Sequence, residues 1–223
     1  MVALTGLTLG VLIAGAGLVV GMGLTFARKL PDVSALYAPP SEATRVYASN
    51  GELIASLYRE NREIVPLREI PVALQRAVIA IEDERFYQHR GVDPRGFMRA
   101  MWRNLLARGV REGGSTITQQ LARSIFLTQK REVSRKIAEM MLAVGVERRL
   151  TKAEILERYL NQVYFGQGAY GVEMAATVYF GRHAKDLDLA QSAMLAGLIR
   201  APSVYSPYQN PELAKARQRV VLQ

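Results

Sequence analysis

Residues 2–27 form one uninterrupted run without a charged side chain. A helix needs about 20 consecutive apolar residues to cross a hydrocarbon core, so this run is long enough to span a membrane. Arg28 and Lys29 follow it directly and would sit at headgroup level. A secretory signal peptide would want a basic start, a shorter apolar core and a small-x-small cleavage site. None of the three is clear here, so the reading is an uncleaved transmembrane anchor over residues 1–28. Gly6/Gly10 and Gly17/Gly21 have the spacing of packed membrane helices, which also arises often by chance. The basic pair lies after the span and nothing charged precedes it. By the positive-inside tendency alone, the C-terminal domain would be cytoplasmic.

The 223 residues leave room for one domain with a real core beyond the anchor. The net charge of +9 favours anionic partners: nucleic acid, acidic headgroups or a phosphorylated substrate. Cysteine is absent, which excludes disulfides, thiol catalysis and Cys-based zinc sites. His89 and His183 are the only histidines and give no metal-site spacing. No Ser-x-x-Lys occurs, so a penicillin-reactive serine of that type is not present.

Pro31, Pro39 and Pro40 mark a linker over residues 29–43. Two apolar runs flank Asn50-Gly51, a strong two-residue turn signal, so residues 45–58 read as a β-hairpin. From Pro71 the pattern turns helical. Leu74, Ala77, Val78 and Ile81 share one helical face. Asp93-Pro94 opens a helix carrying Phe97, Met98, Met101 and Leu105 that stops near Gly109. Ser115 can cap the next one after Gly113-Gly114. Thr151 with Glu154 forms a capping-box pattern. Asp188 can cap a helix ending near Pro202, and Asn210-Pro211-Glu212 starts a last one. That helix is still running at Gln223, so the domain over residues 44–223 reads as truncated. The fold class is mainly α.

Four features could carry chemistry. Glu82 follows Ile81 where a helix face passes from buried to exposed, and a carboxylate at an apolar margin suits general acid–base work. From composition alone, a solvated acidic helix end is the simpler explanation. Gly113 to Arg123 joins glycines to a hydroxyl-capped helix start, which exposes backbone N–H groups to an anion; an ordinary cap does the same. It is not a Walker A loop, because no Gly-Lys-Ser/Thr follows. Arg131, Arg135 and Glu139 are each four apart on one helical face, suited to phosphate or to plain surface ion pairing. The loop Asn161 to Gly171 is rich in Gly, amide and Tyr residues, which suit carbohydrate and are also common in connectors.

In this order, the motifs resemble the family-51 glycosyltransferases of peptidoglycan synthesis, found in class A penicillin-binding proteins and monofunctional transglycosylases. Glu82-Asp83-x-x-Phe86-x-x-His89-x-Gly91 matches the first family motif, and Gly113-Gly114-Ser115-Thr116-Ile117-Thr118-Gln119-Gln120-Leu121 the second. Arg135-Lys136-x-x-Glu139 matches the third. Leu156-x-x-Tyr159-Leu160-Asn161-x-Val163-Tyr164-Phe165-Gly166 matches the fourth, and Ala193-x-Leu195-Ala196-Gly197-Leu198 the fifth. The resemblance covers roughly residues 44–223.

The resemblance implies a lysozyme-like, two-lobed helical fold with a small membrane-proximal lobe beside a cleft. It implies polymerisation of lipid II into β-1,4-linked glycan, with inversion at MurNAc C1 and release of undecaprenyl pyrophosphate. Glu82 would be the general base, and Glu139 the second family carboxylate. The motif residues Asp83, Phe86, His89, Gly114, Ser115 and Thr116 would belong to the substrate site. Arg123, Arg131, Arg135 and Lys136 would neutralise the leaving group, helped by Gln119 and Gln120. Glu139 would either orient a basic side chain or hold a divalent cation, Mg2+ or Mn2+, on the pyrophosphate; no organic cofactor is implied. The family usually has Lys and Asn where Arg123 and Ser124 stand, which keeps the charge at the first position and changes its geometry. The implied partners are lipid II, the growing lipid-linked glycan, the membrane and cell-wall synthesis proteins, with no nucleic acid. The implied location is the bacterial cytoplasmic membrane, single-pass, with the catalytic domain outside, against the flanking charges of the span. A lytic muramidase and a non-enzymatic basic membrane adaptor are the rival readings.

Overall fold

The structure is a computed structural model that describes residues 21, 36, 44–50, 53–57, 61–107, 113–126 and 133–223. The expected anchor (Gly21 apart), the linker (Leu36 apart) and Arg131 lie outside the described residues. No helix among the described residues is long and apolar enough to cross a membrane.

Strands β1 (Thr44–Tyr47) and β2 (Leu53–Leu57) pair antiparallel from Thr44↔Leu57 to Tyr47↔Leu53, the expected hairpin. Eight helices follow among the described residues. They are α1 (Val72–Glu82), α2 (Pro94–Leu106), α3 (Ile117–Phe126), α4 (Val133–Glu147), α5 (Lys152–Gln162), α6 (Val172–Phe180), α7 (Leu189–Leu198) and α8 (Pro211–Leu222). A second sheet was not foreseen. It is built from β3 (Asn61–Arg62), β4 (Tyr164–Gly166) and β5 (Ala169–Tyr170), in the order β3-β5-β4. Strands of two and three residues are too short to show a two-residue period.

The core gathers Leu74 and Val78 of α1, Ile117 and Leu121 of α3, Ile155, Leu156 and Leu160 of α5, and Leu195 and Leu198 of α7. Ala77 and Ile81 pack on it from the same α1 face, as their spacing predicts. Helix α7 packs against α1 and α8, and α3 against α4 and α5. Small residues on α7 (Ala193, Ala196, Gly197) let its neighbours approach closely. The motif segment 161–171 leads from the end of α5 through β4 and β5 to the start of α6. Asn161 is buried; its Nδ2 donates to the Val65 carbonyl at 2.8 Å and its Oδ1 accepts from the Val65 N–H at 3.0 Å. It therefore ties the entering chain to α5. Both capping boxes, Thr151 with Glu154 and Asp188 with Gln191, are formed. Helix α7 ends at Leu198, short of Pro202.

Helix α2 departs from the rest. Pro94 opens it as expected, but Phe97, Met98, Met101 and Leu105 point outward, with Trp102 and Leu106. Only Ala100 is buried. Its apolar residues line the rim of the molecule instead of the core.

Candidate active site

Glu82 ends α1. The apolar face behind it packs on the core, and its half-buried side chain lines a cleft of about 940 Å³. Gln120 Nε2 donates to Glu82 Oε2 at 2.8 Å, and the Tyr159 hydroxyl donates to Gln120 Oε1 at 3.0 Å. This chain orients the amide, with its NH2 toward the carboxylate and its oxygen toward the phenol. Oε1 of Glu82 has no hydrogen bond among the described residues, so it is the oxygen left to take a proton. Burial pushes the Glu82 carboxyl above its usual value. The Gln120 hydrogen bond and the charges of Arg217 and Arg200 oppose that rise, and Asp83 adds to it. Burial, then the Glu82 charge, also holds the Tyr159 phenol well above its ordinary range, so it remains a donor.

Asp83 forms a latch behind the base. It is buried, with His89 Nε2 at 2.9 and 3.0 Å from its two oxygens, and Oδ2 accepts from the Ile117 N–H at 3.0 Å. His89 Nδ1 accepts from the Gly91 N–H at 3.2 Å, which assigns the ring proton to Nε2. The Thr116 hydroxyl donates to the Gly91 carbonyl at 2.6 Å. Gly91 has φ +91°, and a Cβ there would lie 2.7 Å from the Ala143 carbonyl oxygen, so only glycine fits. The latch thus joins the end of α1 to the start of α3, the helix that brings Gln120. Phe86 is wholly buried under the Lys152 ammonium, 4.5 Å from its ring centroid, and His89 is shielded beside it. Neither lines the cleft; both hold its frame.

Thr116, not Ser115, caps α3. The Gln119 N–H donates to Thr116 Oγ1 at 3.1 Å, and the Thr116 N–H to Gln119 Oε1 at 3.2 Å. A capping box needs an acceptor arm three residues on. Gln119 supplies one for Thr116, whereas the short Thr118 side chain is engaged in donating to Glu147 Oε1 at 2.7 Å. Gln119 is consequently buried in the cap and does not line the cleft. Gly114, Ser115, Thr116, Gln120 and Arg123 do.

Behind this wall Glu139 is buried among cations. It pairs with Arg135, accepts from Lys136 Nζ at 3.1 Å, and lies 4.0 Å from Arg123 Nη1. Lys136 also donates to Ser115 Oγ at 2.7 Å. The carboxylate therefore gathers three basic side chains, of which Lys136 reaches Ser115 and Arg123 lines the cleft. It is poorly suited to a divalent cation. Both its oxygens already accept from cations, which a divalent ion would have to displace.

The family described as Transglycosylase matches residues 50–223. The chain belongs to the transglycosylase family. Among curated relatives, penicillin-binding protein 1A of Neisseria cinerea is 46% identical over 219 residues, 97% of this chain and 27% of that protein. Penicillin-binding protein 1F of Bacillus subtilis (strain 168) is 47% identical over 180 residues, 81% of this chain and 25% of that protein. The chain spans about a quarter of the length of these relatives. The crystal structure of penicillin-binding protein 1A from Haemophilus influenzae is similar over 83% of this chain and 18% of that one, with TM-score 0.43 and 22% identity.

Four further arginines line the transglycosylase cleft: Arg99, Arg103, Arg200 and Arg217. The first two had a legible signal, because Arg95, Arg99 and Arg103 repeat every four residues on α2. Arg200 and Arg217 had none. They reach the cleft only because α7 and α8 pack together.

Proposed function

We propose that this domain is a peptidoglycan glycosyltransferase that polymerises lipid II. The observation that carries the reading is one desolvated carboxylate, Glu82, in a cleft lined by arginines. In this reading Glu82 Oε1 takes the proton of the acceptor GlcNAc 4-hydroxyl. That oxygen forms a bond to C1 of the donor MurNAc from the face opposite the leaving group. The C1–oxygen bond to the diphosphate breaks, inverting α to β, and undecaprenyl pyrophosphate departs with the electron pair. Burial supports the role of base by bringing the carboxyl nearer working pH. Arg123 meets the leaving charge, with Arg135 and Lys136 behind it and Glu139 holding all three. Charge stabilisation of this kind is a large share of many rate enhancements.

A muramidase acting on neutral glycan has no use for so many cleft arginines. The lysozyme-like, two-lobed description belongs to the same reading, as does a site outside the cytoplasmic membrane. The exposed apolar side chains of α2, interleaved with Arg95, Arg99 and Arg103, support a face lying against lipid. The test is polymerisation of purified lipid II by Glu82→Gln. A loss of about 10²–10⁴-fold is expected, whereas retained activity, or release of fragments from preformed glycan by the wild type, would overturn the reading.

A further inference from the structure

Arg217 is held in the cleft wall by packing. Its stem crosses α7 at Gly197, where a Cβ would lie 3.1 Å from Arg217 Cγ. Its guanidinium carbon is 5.8 Å from the centroid of the Tyr205 ring. Its Nε is buried without a hydrogen-bond partner among the described residues. A buried N–H left unpaired is costly, so local stability does not account for this placement. Other polar and charged groups around Glu82 are Asp83 beside it, Gln120 and Arg123 on α3, Tyr159 on α5, and Arg200 after α7.

We propose that Arg217 is a positioning residue for the general base: the Gly197 notch and the Tyr205 ring fix its guanidinium in the wall of the cleft that Glu82 also lines, as a fixed counter-charge to that carboxylate. The proposal rests on the reading of Glu82 given above. Among the charges that oppose the upward push of burial on Glu82, Arg217 comes ahead of Arg200. Substituting Ala for Gly within a helix is usually favourable to the helix. Gly197→Ala should therefore displace Arg217 without weakening α7.

The experiment is the pH–rate profile of lipid II polymerisation by the membrane-bound enzyme, for wild type, Arg217→Gln, Arg217→Lys, Gly197→Ala and Glu82→Gln. Removing the charge should move the acidic limb of Arg217→Gln upward by roughly one pH unit. That is about a tenfold loss below the limb, recovering at alkaline pH. Arg217→Lys should keep the limb near the wild type. Gly197→Ala should reproduce part of the shift with an undiminished melting temperature. If Arg217→Gln slows the reaction equally at every pH with the limb unmoved, the proposal fails. In that case an inactive Glu82→Gln still supports the base; an active one removes base and helper together.

Discussion

Glu82 and its neighbour Asp83 differ by one position and serve opposite ends. Glu82 stays half-buried with one oxygen uncommitted, whereas both oxygens of Asp83 are engaged by His89, and Oδ2 also by Ile117. Burial raises the folded-state value of Glu82 above its unfolded one, so ionising it subtracts stability as pH rises through the folded value. Glu82→Gln should therefore inactivate the enzyme and raise its melting temperature at neutral pH. Each kcal/mol is worth about 2–4 °C in a domain of this size. A lower melting temperature by calorimetry would mean that the carboxylate's hydrogen bond outweighs its desolvation. Arg123→Ala should cut kcat strongly, because it removes the one cleft cation in the group held by Glu139; unchanged turnover on lipid II would take Arg123 out of the site. At this scale the sequence groups these side chains into motifs without saying what each one touches. Gln119 and His89 sit in matching motifs, but whether a polar side chain faces substrate or backbone depends on contacts from distant segments such as the Gly91 loop.

Among elements, the junction of α1 and α3 decides the geometry, since it sets Gln120 against Glu82. Thr116→Ala removes both the α3 cap and the bond to the Gly91 carbonyl, and should cost about 1–2 kcal/mol in chemical denaturation. Amide exchange should quicken first at the start of α3. Uniform quickening across the domain would mean that the junction is not a separate unit. Helices with end signals were readable in advance: Thr151/Glu154, Asp188 and Pro94 each mark a start that the structure forms. The β3-β5-β4 sheet was not, because β3 pairs with β5 more than a hundred positions away and all three strands are too short to carry a local pattern.

At the scale of the molecule, the described residues set an arginine-rich cleft beside an apolar rim, and α2 contributes to both. Trp102 is 62% exposed and Leu105 69%, while Arg99 and Arg103 on the same helix line the cleft. Replacing Trp102 and Leu105 by Asp in a shortened chain that lacks residues 1–28 should weaken sedimentation with anionic vesicles and leave the melting temperature unchanged. Unaltered sedimentation would assign vesicle binding to another face. The sequence showed these apolar side chains but not that they face outward, because a helical stripe looks the same whether protein or lipid covers it. If α2 rests on lipid as proposed, the enzyme searches a plane. Its rate should then follow the mole fraction of substrate in the bilayer, and diluting that bilayer with inert lipid should slow it even when the bulk concentration of substrate is held constant.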